Sequence, residues 1–537
     1  MLIKIILLII LIFWLIKISR DILFWVYLWQ LKEYRRDRMR AHFELQSAKR
    51  IFLNKLYAGK LLLLLSSPLL FLGIWQFFFQ IFVGTLYSIL GTRSIYAAYR
   101  RYVKEPVFTK KAILLCAISA IPMAILAILI YAKASPATFL FSVLLLDMLI
   151  PLAVAGVVGL LKFPSEFMKN RIIARAMAKR TQFKDVLVIG ITGSYGKTSM
   201  KEFLAHILSQ KLKVLATTEN HNSEIGVAQL VLDKLNGDYD VFIVEMGAYK
   251  QGEIKRICDI VRPQIGILTG INDQHISLFG SLEKTIKAKY ELIESLPKNG
   301  LAIFNGENDH VFALYEKTAI PKRMYALRSF SVSSKPDITA EKVDIAKNGT
   351  HFYVKIGENR ESFETPVLGR HNVLNILGAA LAAQALGMTI EEIQKRVKTL
   401  KPLPHTLNAE SGINGSTIID DTYSANPRGV MAALDLLDNL KGNKKIVVMY
   451  PLIELGEAAS DIHRRIAMKL NKICDVCILT NMDFAREIKN NAPNTDVFVI
   501  QDPKMVIQKL EKIVKSGDIV LLENRIPEKI KNALISS

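Results

Sequence analysis

Within Gly193-Ser194-Tyr195-Gly196-Lys197-Thr198-Ser199, two glycines are followed at once by a lysine and two hydroxyl residues. Residues of these types in this order suit a polyphosphate. Glycine lets backbone amides close on anionic oxygens, and the N-terminus of a following helix adds partial positive charge. Lys197 would reach the β- and γ-phosphates, and the Thr198 hydroxyl would ligate Mg2+. The strict phosphate-loop spelling fails because Ile191 occupies its first glycine position. The bland alternative is a glycine-rich turn with a chance Gly-Lys-Thr. Glu245 is a second candidate. It closes the apolar run 239–245 on the side where ligands gather in parallel sheets, and a carboxylate there suits Mg2+. Read alone, it serves equally as a solvated or helix-capping acid.

Those side chains need a scaffold. Residues 183–192 form a short, apolar, β-branched run, and a helical pattern follows over 200–210, so the glycine loop joins a buried strand to a helix. Strands at 239–245, 264–269 and 301–304 alternate with helices from 252 and over 282–295. This alternation predicts a parallel sheet with helices on both faces. Residues 321–367 are β-branched and turn-rich and read as a small β excursion. After Lys401-Pro-Leu-Pro404 the pattern restarts, with strands at 416–420, 445–449, 475–479, 496–500 and 518–522 in a second doubly wound domain. The fold class is therefore an N-terminal multi-helix membrane module (1–165), a phosphate-loop central domain (166–400) and a Rossmann-like C-terminal domain (401–537).

The first region carries four apolar runs, 2–18, 61–90, 112–131 and 137–161. A helix needs about 20 apolar residues to span a bilayer. The first run lacks a small-residue cleavage site and reads as an anchor rather than a removed signal. A nucleotide-using α/β part belongs in the cytoplasm, which puts the basic stretches 91–111 and 162–180 inside. Four crossings with an inside N-terminus satisfy this, but leave the basic stretch 32–60 outside, against the positive-inside tendency. The alternative keeps 32–60 inside and bends 61–90 into a re-entrant hairpin at Pro68 and Gly73. Four crossings are the arrangement expected, giving a multi-pass cell-membrane protein with cytoplasmic catalytic domains.

The net charge of +21 collects largely beside these runs, where Lys and Arg meet anionic lipid. No aromatic-interleaved basic motif accompanies it, so nucleic acid is not an expected partner. Four cysteines make no disulfide framework. Cys474 and Cys477 form a lone Cys-x-x-Cys that overlaps an apolar strand, with no second ligand pair for zinc.

Taken in order, further segments resemble the Mur ligase family, and within it the type that joins D-alanyl-D-alanine to UDP-N-acetylmuramoyl-tripeptide. The resemblance covers about residues 180–537. The loop 192–198 matches that family's shorter spelling. Thr217-Thr-Glu-Asn220-His-Asn222-Ser-Glu224 resembles its substrate-side loop, and Glu245-Met-Gly247 its Mg2+ strand. Asn272-Asp-Gln-His275, then Phe279-Gly-Ser281 and Ala288-Lys289-Tyr-Glu291, resemble its second metal-site segments. Phe304-Asn305-Gly-Glu-Asn308 and Gly369-Arg370-His371-Asn372-Val-Leu-Asn375 resemble its nucleotide side. Asp420-Asp421-Thr-Tyr423-Ser-Ala-Asn426-Pro427 resembles the C-terminal motif that closes on nucleotide and amine.

What the resemblance implies is specific. ATP would lie on Gly193 to Ser199, Asn305, Asn372, Asn375 and Asp421. Two Mg2+ ions would be held, one by Thr198 and Glu245, the other by His275 and Lys289. Lys289 would carry CO2 as a carbamate; read alone, it is a solvated helix lysine. Lys197, Glu245, His275 and Lys289 would be catalytic. Asn220, Asn222, Glu224, Tyr423 and Asn426 would touch the substrates, a UDP- or lipid-linked cell-wall peptide precursor and an amino acid or dipeptide. Three departures fall in the last domain: Ser424 and Thr406 replace an expected Asn and Arg, and Tyr450-Pro451-Leu452 replaces Gly-Asp-Met. Membrane segments also stand in place of the family's UDP-gripping domain. Rival expectations are a ligase of the same superfamily with another amine or acceptor, as in folate glutamylation, and a membrane ATPase without ligase activity.

Overall fold

The computed structural model describes residues 2–44, 51–52, 54–67, 69, 73–100, 102–218, 221–272, 279–327, 335–346, 349–422, 426–453, 455 and 458–535. Contacts divide the chain into two compact units, 1–168 and 169–537.

The first unit is helical: α1 (Leu2–Leu31), α2 (Arg36–Glu44), α3 (Lys55–Leu65), α4 (Gly73–Tyr99), α5 (Lys110–Lys133), α6 (Pro136–Leu160) and the start of α7 (Lys162–Arg180). Large apolar residues line both its inside and its outside. Trp14, Phe79, Tyr87 and Phe139 are buried, while Ile74, Ile121 and Leu152 are exposed. Three helical stretches, Gly73–Tyr99, Lys110–Lys133 and Pro136–Arg180, are long and apolar enough to cross a membrane. The expected run 61–90 is divided, because α3 stops at Leu65 and α4 starts at Gly73. The first expected run continues past its polar residues to Leu31.

Two tethers orient α1. The Tyr131 hydroxyl donates to the Lys4 carbonyl at 3.1 Å, and the Gln30 amide exchanges two hydrogen bonds with the Val107 backbone at 2.9 and 2.7 Å. α1 is therefore antiparallel to α5, and its C-terminal end lies level with the 102–109 stretch. Phe52 stacks on Trp25 at 5.5 Å and Phe43 packs on it at 6.4 Å, so α2 and residues 51–52 lie at that same end. This differs from the four-crossing expectation, which put the two stretches at opposite ends.

Lys17, midway between Lys4 and Gln30, meets a charge cluster. The Asp147 carboxylate, its side chain wholly buried, accepts from Lys17, from Lys60 at 2.5 Å and from the Tyr87 hydroxyl at 3.2 Å. Lys17 also pairs with Asp21 at 2.7 Å. One carboxylate thus holds α1, α3, α4 and α6 together.

The second unit holds two sheets. β1 (Leu187–Thr192), β2 (Val214–Ala216), β3 (Val241–Glu245), β4 (Ile265–Leu268), β5 (Leu301–Asn305), β6 (Lys322–Ala326), β7 (Ile338–Ala346), β8 (Gly349–Ile356) and β9 (Asn359–Thr365) pair in the order β2-β3-β1-β4-β5-β6-β7-β8-β9. Pairing is parallel as far as β7, and β8 and β9 add an antiparallel edge. The β-rich stretch 321–367 therefore continues the sheet. Helix α8 (Lys197–Leu208) and, further on, α13 (Arg370–Ala385) cover one face, with Phe203, Ile376 and Leu377 buried between. The other face is covered by α9 (Glu224–Lys234), α10 (Glu253–Val261) and α11 (Leu282–Glu294), with α12 (Asp309–Lys317) following β5. Burial on both faces explains why β3 and β4 are apolar throughout, save at Glu245.

After α14 (Ile390–Lys398), the second sheet contains β10 (Asn408–Ser411), β11 (Thr417–Asp421), β12 (Lys445–Met449), β13 (Val476–Leu479), β14 (Asp496–Val499) and β15 (Ile519–Glu523). Their order is β10-β11-β15-β12-β13-β14, parallel except for β10. Its helices are α15 (Pro427–Asn439), α16 (Ala459–Ile473), α17 (Ala485–Asn491), α18 (Pro503–Ile513) and α19 (Glu528–Leu534).

Removing one partner of a buried ion pair strands the other charge, at about 3–5 kcal/mol. Asp147→Ala should therefore lower the unfolding temperature in detergent sharply. Asp147→Ala combined with Lys17→Met and Lys60→Met should recover much of the loss. An unchanged unfolding temperature for Asp147→Ala would remove the cluster from the account of this unit.

Candidate active site

Gly193 and Gly196 shape the loop between β1 and α8. Gly193 has φ +154°, and a Cβ there would collide with the Thr269 Oγ1 atom. Gly196 has φ +76°, and a Cβ would stand 2.7 Å from Asn375 Oδ1. Gly196 is also the N-cap of α8, and no side chain caps that end. The first-turn amides are thus left for an outside acceptor, as an anion site requires. Thr269 fastens the loop by donating to the carbonyls of Tyr195 at 2.5 Å and Thr192 at 3.2 Å. Ser194 N donates to the Gly270 carbonyl at 2.7 Å.

Glu245 lies beside this loop because β1 and β3 are parallel neighbours with Ile191 in register with Glu245. Its carboxylate accepts from Thr198 Oγ1 at 2.9 Å and from Asn222 Nδ2 at 3.2 Å. Lys201 Nζ lies 3.9 Å away and donates to the Thr217 carbonyl at 2.6 Å, while Thr217 Oγ1 accepts from Glu245 N at 2.9 Å. Lys289 is 4% exposed, its ammonium 5.6 Å from the Phe279 ring centroid. Burial, aided by the Lys197 charge and opposed by Glu253, Glu291 and Glu245, brings its pKa down to about 7. Burial likewise lowers Lys197, with Glu245 pulling the other way.

An uncapped helix end, two cations and one carboxylate fit a magnesium-bound polyphosphate. Thr198 and Glu245 supply the hard oxygens that Mg2+ prefers. Among the described residues, no group of three or more His, Cys, Asp or Glu side chains stands together for a metal.

Other expected residues fall around this centre. Asn375 faces Gly196 and donates to Asn372 Oδ1 at 3.4 Å, and Asn372 donates to the Leu368 carbonyl at 2.8 Å. Asn305 donates to the Thr269 carbonyl at 2.5 Å. Ser199 is buried in the first turn of α8. Asn426 caps α15, accepting from Gly429 N at 2.9 Å. Asp421 is buried at the end of β11, in register with Glu523. Glu224 is turned toward Lys169 at 2.7 Å and Arg256 at 3.4 Å. Asn220, His275 and Tyr423 lie outside the described residues. Lys201, Thr217, Thr269 and Asn308 were not singled out from the sequence; Thr217 and Asn308 stood inside quoted motifs.

Comparison with known proteins identifies the family of these two α/β domains. The Mur ligase middle domain matches residues 191–383, and the Mur ligase glutamate ligase domain matches 407–523. A UDP-N-acetylmuramoyl-tripeptide–D-alanyl-D-alanine ligase of Synechocystis is 30% identical over 63% of this chain and 71% of its own length. The chain belongs to the Mur ligase family. The Escherichia coli protein of the same description is 32% identical over 51% of this Mur ligase, which spans 60% of that relative's length. The crystal structure of MurF from Acinetobacter baumannii superposes with a TM-score of 0.62 at 25% identity, covering 68% of this chain and 80% of that one. The two α/β parts of this chain thus have the Mur ligase fold.

Two outcomes follow from the loop and its surroundings. Gly196→Ala forces a left-handed φ on an L residue, at about 1–2 kcal/mol, and crowds Asn375. It should keep the fold and weaken ADP binding by about tenfold or more in a titration. The second concerns His371, whose Nδ1 is shut from solvent without a hydrogen-bond partner among the described residues and whose pKa burial depresses from 6.5 to about 4. The neutral ring is the folded form, so its stabilisation is complete above pH 6.5 and fades as pH falls toward 4. Unfolding measured across that window should show a loss of about 3 kcal/mol that His371→Leu flattens.

Proposed function

We propose that this Mur ligase is an ATP-dependent, ADP-forming carboxylate–amine ligase that joins D-alanyl-D-alanine to the peptide of a UDP-N-acetylmuramoyl precursor. The observation that carries the reading is the Thr198–Glu245 hydrogen bond at the uncapped end of α8, which unites hydroxyl, carboxylate and glycine loop in one place. The substrate class is the one named in the descriptions of the relatives.

Amide formation from a carboxylate is uphill in water until an oxygen becomes a good leaving group. The peptide carboxylate takes the terminal phosphoryl group of ATP, and the amine then displaces phosphate through a tetrahedral intermediate. Glycine-loop amides and Lys197 offset the charge that shifts onto phosphate oxygens. Thr198 and Glu245 would hold Mg2+, which neutralises polyphosphate charge when bound. His275 and Lys289 are the proposed holders of a second ion. Lys289 suits a carbamate because burial leaves much of its amine neutral at neutral pH, and CO2 adds only to a neutral amine. Asn305, Asn372, Asn375 and Asp421 are assigned to the nucleotide. Asn220, Asn222, Glu224, Tyr423 and Asn426 are assigned to the substrates; for Glu224 this requires release from Lys169 and Arg256.

The helical unit is proposed to lie in the membrane, with the α/β domains in the cytoplasm. With α1 antiparallel to α5, residues 32–44 and 51–52 fall on the cytoplasmic side together with the 102–109 stretch. Arg35, Arg36, Arg38 and Arg40 then obey the positive-inside tendency, and the N-terminus lies outside. Outward-facing Ile74, Ile121 and Leu152 favour this placement. It also supports a second reading of the acceptor, a lipid-linked wall precursor.

The test is phosphate release from ATP with a panel of carboxylate peptides and amines, with the product identified by mass spectrometry. A new amide formed only with UDP-linked tripeptide and D-alanyl-D-alanine is the expected result. Equal turnover without any amine would sink the ligase reading, and a strong preference for a lipid-linked peptide would favour the second acceptor. Lys289→Ala should lose activity by about a hundredfold or more. Short carboxylic acids that stand in for the carbamate should restore part of it.

A further inference from the structure

The glycine loop is also held from the second α/β domain. Tyr195 is its one aromatic residue. The Tyr195 hydroxyl receives hydrogen bonds from Asn308 Nδ2 at 3.3 Å and from Arg428 Nη1. The Arg428 guanidinium carbon also stands 5.4 Å from the ring centroid, within cation–π range. A Cβ at Gly270 would run into the phenol, so the ring rests directly on backbone. With its carbonyl tied to Thr269 and its hydroxyl held at two points, Tyr195 has one seat. Moving Arg428 therefore disturbs the backbone between Ser194 and Gly196.

Arg428 stands in the first turn of α15, directly after Asn426-Pro427. That places it at the end of the segment assigned above to nucleotide and amine. It is exposed, and no carboxylate pairs with it among the described residues. The bond to Tyr195 thus makes use of a cation not committed to an ion pair. A hydrogen bond from a charged donor contributes more than one from a neutral donor.

We propose that Arg428 is a positioning residue that acts through the Tyr195 hydroxyl, making the shape of the glycine loop depend on the placement of the second α/β domain. Nucleotide affinity and amine-side closure are then coupled, and the coupling is reciprocal. The proposal rests on the reading that the glycine loop holds the nucleotide.

The experiment uses the full chain in detergent. Mg·ADP affinity is titrated with and without D-alanyl-D-alanine for the parent, Arg428→Ala, Tyr195→Phe and the double variant, with unfolding temperatures recorded alongside. Tyr195→Phe keeps the ring and removes only the hydroxyl. Each single change should weaken Mg·ADP by about tenfold, with the double variant no worse than either. Each should also abolish the amine's effect on nucleotide affinity, while the unfolding temperature stays put. Arg428→Lys, which keeps a donor for the hydroxyl, should recover part of the affinity. Additive losses, or single variants with parental affinity and an intact amine effect, overturn the latch alone. A parent protein that binds no Mg·ADP overturns the reading of the loop and the latch with it.

Discussion

The hydrogen bond between Thr198 and Glu245 is the contact on which the α/β architecture converges. It joins the first turn of α8 to the last residue of β3, two elements far apart in sequence. Only a parallel sheet with β1 beside β3 brings them together, because register then carries Ile191 and Glu245 to the same edge. The crossover helices that parallel pairing demands also bury both sheet faces, which forces the strands to be apolar. Glu245 is the polar exception that strand β3 tolerates, and it is tolerated because Thr198, Asn222 and the Thr217–Lys201 pair satisfy it.

Around that bond cations gather. Lys201 is answered by Glu202 at 2.9 Å, while Lys197 and Lys289 stand near Glu245 with burial depressing both. A protein built for stability alone would not gather cations it must desolvate. The surplus makes sense if the site is completed by an anion. The same argument separates it from the helical unit. There Asp147 answers both Lys17 and Lys60, and Asp21 answers Lys17 and Arg20, so each buried cation has a carboxylate and the cluster serves to join helices.

Legibility in sequence followed the range of the interaction. The glycine loop, β3 and its terminal acid could be read because strand period, turn chemistry and helix start are local signals. β2 is three residues long and β10 pairs antiparallel at an edge, so neither left a periodic trace. Lys201 looked like any helix lysine; that it is 1% exposed is a property of the fold. Its position one turn after Lys197 was the one hint available. Lys17, Lys60 and Asp147 are separated by long stretches, and nothing short of helix packing pairs them. Glu224 shows the reverse case, where long-range contacts qualify a local motif. A motif placed it with the substrate loop, while the structure commits its carboxylate to Lys169 and Arg256. Lys289, read alone as a solvated lysine, is buried, and only packing could reveal that.

The second α/β domain must present its own strand ends to a polyphosphate without repelling it. β11 and β15 finish in register on Asp421 and Glu523, both buried. Two adjacent carboxylates of full charge would oppose nucleotide binding. Burial, reinforced by the Asp421 charge, holds the Glu523 carboxyl well above the usual carboxylate range. The Asn524 backbone N–H works against this, but burial and the neighbouring Asp421 charge outweigh it and favour the protonated form of Glu523. Raising the Glu523 carboxyl in this way reduces the negative charge that these strand ends present to a polyphosphate.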